Sequence, residues 1–280
     1  MITRRTTQRL FLLKPSKAVD EVLLYCIAVA AQKYGVRIHA VTAMTNHYHM
    51  VLTDPWGRLP DFERWLNAMV ARALNSHYGR WENFWSSEQP SHVQLVDAED
   101  VLAKMVYTVT NPVAAGLVRR GEEWPGIRLF HPGKRKIARP EWFFDEQGDL
   151  PAEVVLEIVP APLGVNAHES LRLVMEAVAA KEAEIRSTFR QQGRTFVGPQ
   201  GIHAQSHQGA PTSIVPRRGI SPQLAGRTPT RVALIERMKR FVADYRAALT
   251  AWRNKIANVV FPNGTFFMLR RFDVTVAAPS

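Results

Sequence analysis

The chain has 280 residues, 46% of them apolar, enough for one large domain or for one domain with an extension. Lys and Arg number 36 against 25 Asp and Glu, a net charge of +11 that favours a polyanionic partner, nucleic acid first and an anionic membrane surface second. Cys26 is the only cysteine, which excludes disulfides and thiolate zinc clusters, and no stretch reaches the ~20 apolar residues of a membrane helix.

The N-terminal MITRRTTQRLFLLKP has too short an apolar run for a secretory signal, so a cytoplasmic protein is expected. Residues 7 to 13, TQRLFLL, are apolar enough for a first strand. A helix follows over 17 to 34, with Val19, Val22, Leu23, Cys26 and Ala30 at helical spacing and Gly35 as its stop. VRIHAVTAM and HYHMVLT then predict a hairpin around Thr45-Asn46, with Thr42 beside His49. Alternation along that second strand puts His47, His49 and Val51 on one face and Tyr48, Met50 and Leu52 on the other. Two imidazoles side by side on a sheet face can hold a metal ion; they can also merely cap a sheet edge.

A helix over 59 to 78 and a short strand over 93 to 96 come next. Asp97 can cap a further helix from Ala98 to about Thr110, ended by Pro112. On that helix Leu102, Met105, Val106 and Val109 gather on one side, and Tyr107 falls opposite with Lys104 and Asn111 flanking it. A core tyrosine would sit inside the apolar stripe. The order predicts an α+β fold: a ferredoxin-like βαββαβ sheet with one added helix.

Residues 119 to 145 mix basic clusters with Trp124, Trp142, Phe143 and Phe144. Long helices are expected over 168 to 192 and 230 to 257, separated by a basic Gly/Pro-rich loop, 198 to 230. The end, VVFPNGTFFMLRRFDVTV, suggests a hairpin around Pro262-Asn263-Gly264. The expected organisation is a domain over 1 to 145 and a mainly helical extension over 146 to 280. Candidate phosphate contacts are Arg4, Arg5, Arg9, Lys104, Lys134, Arg135, Lys136, Arg217 and Arg218. Trp56, Trp65, Trp81 and Trp85 could stack bases or pack the core. His77, His92, His131 and His168 have no evident partners and are expected on the solvated surface.

Asn46-His47-Tyr48-His49 together with YTVTNPVAAGLV resembles the REP-associated tyrosine transposases, members of the HUH single-tyrosine superfamily, over residues 6 to about 145. The resemblance implies that His47 and His49 bind Mg²⁺ or Mn²⁺, that Asn111 is a third ligand, and that Tyr107 is the nucleophile. The implied activity is cutting and rejoining single-stranded DNA beside a hairpin through a 5′-phosphotyrosine, by a monomer or homodimer that is nucleoid-associated when bound. Tyr48 is bulkier than the family's usual residue between the histidines, and residues 150 to 280 exceed its minimal domain. Two other readings fit the same residues: a module that holds structured DNA or RNA without cutting it, and a metal hydrolase that activates water.

Overall fold

A computed structural model of the chain describes residues 1–142, 148–213, 223–224 and 228–278. Phe143, Phe144, Arg217 and Arg218 lie outside the described residues. The fold is α+β. A mixed sheet carries the strands in the order Gly133–Ala138, Glu153–Ile158, Arg37–Ala43, His47–Thr53, Ile2–Arg5, Ser91–Gln94 and Gln223–Leu224, and seven helices are found among the described residues. None of these helices is long and apolar enough to cross a membrane.

Four strands form the part of the sheet that bears the histidines: β1 (Ile2–Arg5), β2 (Arg37–Ala43), β3 (His47–Thr53) and β4 (Ser91–Gln94). β3 runs antiparallel to both β1 and β2, and β1 antiparallel to β4. Thr42 stands opposite His49, as the hairpin register requires. One sheet face packs α1 (Lys17–Tyr34) and α2 (Leu59–His77), whose Val22, Leu23, Phe62 and Leu66 enclose Tyr48 and Met50. α1 starts where the Ser16 hydroxyl accepts from the Val19 amide, and it stops at Gly35, whose φ of 68° suits glycine.

The opposite face carries His47, His49 and Val51 and is crossed by α3 (Ala98–Ala114) and α4 (Ala167–Gln191). Val51, Val101, Met105, Val109, Val174 and Val178 form one apolar cluster there. The Asp97 carboxylate caps α3 by accepting from the Asp100 amide at 2.9 Å. Asp97→Ala is expected to remove about 1 kcal/mol, readable as a lower urea midpoint with an unchanged slope.

Several expectations are corrected. The first strand is Ile2–Arg5, because Gln8 and Arg9 have φ of 48° and 61° and cannot continue a ladder; residues 7 to 13 instead turn Leu12 and Leu13 into the core. α3 does not stop at Pro112. It runs on to Ala114 and closes at Gly116, where the Leu117 and Gly116 amides donate to the Pro112 and Val113 carbonyls. The ~3 kcal/mol an internal proline costs is comparable to the ~1.5–3 kcal/mol gained by burying Val113 completely.

Three unanticipated strands follow, β5 (Arg128–Leu129), β6 (Gly133–Ala138) and β7 (Glu153–Ile158), the last joining the sheet parallel to β2. Within 198 to 230 the chain forms α5 (Gly198–Ala204) and a two-residue strand β8 (Gln223–Leu224) parallel to β4. The C-terminal hairpin is absent. After α6 (Thr228–Arg253), β9 (Val260–Phe261) and β10 (Thr275–Val276) pair in parallel with α7 (Phe266–Phe272) between them. Parallel pairing demands a crossover, and α7 provides it.

Candidate active site

β3 alone fixes the two imidazoles, since its alternation turns both to the α3 side, with ring centroids 4.7 Å apart. β1 supplies Thr3 opposite His49 and Arg5 opposite His47. α3 buries its apolar stripe against this face and leaves Tyr107 at its edge, 47% exposed, with its ring 5.2 Å from that of His49. One turn on, Asn111 Nδ2 lies 3.1 Å from His49 Nε2. One turn earlier, the Lys104 ammonium lies 5.5 Å from the Tyr107 ring centroid. The structure thus brings together His47, His49, Lys104, Tyr107 and Asn111 from two elements about 50 residues apart in the chain.

The hydrogen bonds assign the imidazole tautomers. Asn46 Oδ1 can only accept, so His47 Nδ1–H donates to it at 2.6 Å and Nε2 keeps a lone pair. Asn111 Nδ2 can only donate, so His49 Nε2 accepts, and its Nδ1–H donates to Thr3 Oγ1 at 2.7 Å. Both rings therefore hold their proton on the outer nitrogen and a lone pair on the inner one, the arrangement metal-ligating histidines take. Burial holds His47 well below the usual imidazole range, helped by His49, Arg5 and Arg9; burial, with Arg5 and Lys104, pushes His49 down to about 4. Both rings are neutral at physiological pH.

This donor set fits a divalent ion, provided that the Asn111 carboxamide turns its oxygen inward in place of the nitrogen. The two imidazole nitrogens suit Mn²⁺ better than Mg²⁺, which prefers oxygen. Among the described residues no group of three or more His, Cys, Asp or Glu side chains could hold a metal. The Thr42 hydroxyl opposite His49 is buried and has no hydrogen-bond partner among the described residues.

The candidate phosphate contacts divide sharply. Arg5 shares the histidine face. Arg4 points to the other face, where it stands opposite Tyr48, lies 5.8 Å from the Trp85 ring and donates to the Glu88 carbonyl at 2.6 Å. Arg9 is held by Ser213, donating to its carbonyl and hydroxyl oxygens. Lys134 and Lys136 pair with Glu157 and Glu153 across β6 and β7, while Arg135 is exposed on the same edge strand. Trp65 and Trp85 pack in or against the core, and Trp56 and Trp81 are exposed. His92 is not free on the surface: its Nε2 lies 2.7 Å from a carboxylate oxygen of the buried Glu63. The residues that sequence reasoning missed are the supports. Asn46 adjoins the histidine pair and is visible there; Thr3 can be found only with the correct first strand.

No family model, curated protein or solved structure matches the chain.

Proposed function

We propose that the chain is a metal-dependent single-stranded DNA endonuclease and strand transferase of the REP-associated tyrosine transposase type. The observation that carries this reading is the packing of the Tyr107 ring and the Asn111 amide onto His49, beside a second imidazole of matching tautomer. The antiparallel order β4-β1-β3-β2, with α1 and α2 on one face, supports a ferredoxin-like core crossed by the tyrosine-bearing helix. His47, His49 and Asn111 would hold Mn²⁺ or Mg²⁺, which when bound neutralises charge on the scissile phosphate.

Tyr107 Oη attacks phosphorus as its proton passes to water; the Oη–P bond forms, the P–O3′ bond breaks, and the 3′-oxygen takes up a proton from water. The products are a 5′-phosphotyrosine and a free 3′-hydroxyl, so the bond energy is conserved and rejoining needs no nucleotide cofactor. Lys104 sets a positive charge beside the ring on the approach to the phosphate, and Arg5 sets another across from His47. Thr3 and Asn46 hold the imidazole tautomers. The nucleophile reaches solvent, as an incoming polymer strand requires.

The test is a hairpin oligonucleotide labelled at either end, incubated with the protein and Mn²⁺ and run on a denaturing gel. The 3′-labelled strand is expected to migrate with the protein and the 5′-labelled strand to be released free. Cleavage with both fragments free would point to activated water, and binding without cleavage to a non-cutting module.

A further inference from the structure

Beyond the C-terminal end of α3 lies a cavity of about 290 Å³ lined by Arg119, Arg186, Phe189, Arg190, Arg194 and Phe196, together with Thr195. Among the described residues four guanidinium groups and no carboxylate line it. Like charges so gathered repel, and the arrangement is stabilised when a polyanion lies among them. An arginine in the last turn of a helix complements the helix dipole, which accounts for Arg190 on α4 but not for the other three.

The cavity is built rather than incidental. Phe189 is buried, and the Phe196 ring stacks on it with centroids 4.7 Å apart and planes 10° from parallel. The Arg194 guanidinium lies 3.9 Å from the Phe189 ring centroid, a contact that orients it. Arg186 is held by Glu182 at 3.5 Å, and that same carboxylate also binds Arg128 at 3.3 Å. Arg119 and Arg190 stand exposed. Phe189 also packs against Gly116, where a Cβ would meet the ring at 2.9 Å. The floor of the cavity is thereby fastened to the end of the helix that bears Tyr107 and Asn111.

We infer that this arginine–phenylalanine cavity is a second nucleic-acid contact, binding backbone phosphates of an unpaired segment of the strand whose scissile bond lies at Tyr107. Guanidinium forks match phosphate oxygens, and the partly exposed Phe196 ring offers a surface on which an unpaired base can stack. This rests on the function proposed above and adds a site beyond the C-terminal end of α3.

The experiment uses the full chain, a fluorescent hairpin oligonucleotide with single-stranded flanks, and binding anisotropy from about 50 to about 200 mM NaCl. Removing one arginine that neutralises a phosphate should lower the slope of log affinity against log salt by about 0.7 to 0.9. Arg190→Gln is therefore expected to lower it by that amount and Arg190→Gln/Arg194→Gln by roughly twice as much. The corresponding lysine variants should restore the slope, and melting temperatures should match the wild type. An unchanged slope in both glutamine variants overturns the inference. So does a variant that no longer binds pyrophosphate, used alone as the probe, while keeping the DNA slope, since the cavity would then take a small polyanion. The Mn²⁺ cleavage assay on the same samples separates the two proposals. Wild-type cutting with unaltered slopes defeats only the cavity; altered slopes without wild-type cutting uphold the cavity and defeat the endonuclease.

Discussion

Tyr107→Phe is expected to abolish both strand cleavage and covalent attachment, by a factor on the order of 10⁴ or more, while leaving the fold and hairpin affinity intact. The substitution removes one oxygen from a ring that is half-exposed and that meets His49 through its carbon framework. Stability should therefore stay within about 0.5 kcal/mol of the wild type, the usual span for surface changes. Gel cleavage and thermal melting read the two halves of the prediction. A variant that still cuts at the wild-type rate would remove Tyr107 from the chemistry and leave water as the nucleophile. Tyr48 cannot take its place, because it projects from the other face of β3 and is buried with its hydroxyl donating to Asn67 Oδ1.

Replacing the imidazoles should be as damaging to cleavage and far less so to binding. His47→Ala is the cleaner variant, since His47 is half-buried and, among the described residues, gives up one hydrogen bond, to Asn46. His49→Ala empties a site 3% exposed and strands Thr3 Oγ1 and the Asn111 amide, so about 2–3 kcal/mol of stability should go with it. Both variants, and the wild type in excess EDTA, are expected to lose cleavage and to hold the hairpin within a few-fold, with metal affinity measured by Mn²⁺ titration. The depressed imidazole values give the pH dependence its sign. A ring whose folded value lies below the ordinary one stays unprotonated as pH falls from about 8 to about 6, so ligand protonation should not slow the reaction there. Full cleavage in EDTA would refute the metal assignment.

The parts of the site that can be read from the sequence are those carried by strong periodicities. Alternation along β3 sets the face of His47 and His49, and the helical spacing around Tyr107 places it off the apolar stripe. β1 escapes because its own role hides it. Thr3 and Arg5 turn toward the polar site, leaving Ile2 as its one apolar core residue, so the pattern looked for in a strand is missing. The more apolar 7 to 13 attracts the strand assignment instead, and the true register decides that Arg5, and not Arg4, faces the histidines. β6 reads GKRKIA because it is an edge strand whose charges meet Glu153 and Glu157, a pairing that no local pattern announces. Pro112 misleads through propensity: tertiary burial of Val113 carries the helix past it. The arginines of the cavity beyond α3 come from residues 119 to 194, and only the packing of α3 against α4 gathers them.

The most direct test of the central claim is the mass of the tryptic fragment 105–119, which contains Tyr107, after reaction with hairpin DNA and Mn²⁺ and digestion of the bound strand by nuclease. The expected result is a fragment heavier by a single 5′-linked nucleotide, with fragmentation placing the phosphate on Tyr107. An unmodified fragment beside cleaved DNA, or a phosphate on Tyr25, Tyr34, Tyr48, Tyr78 or Tyr245, would contradict it.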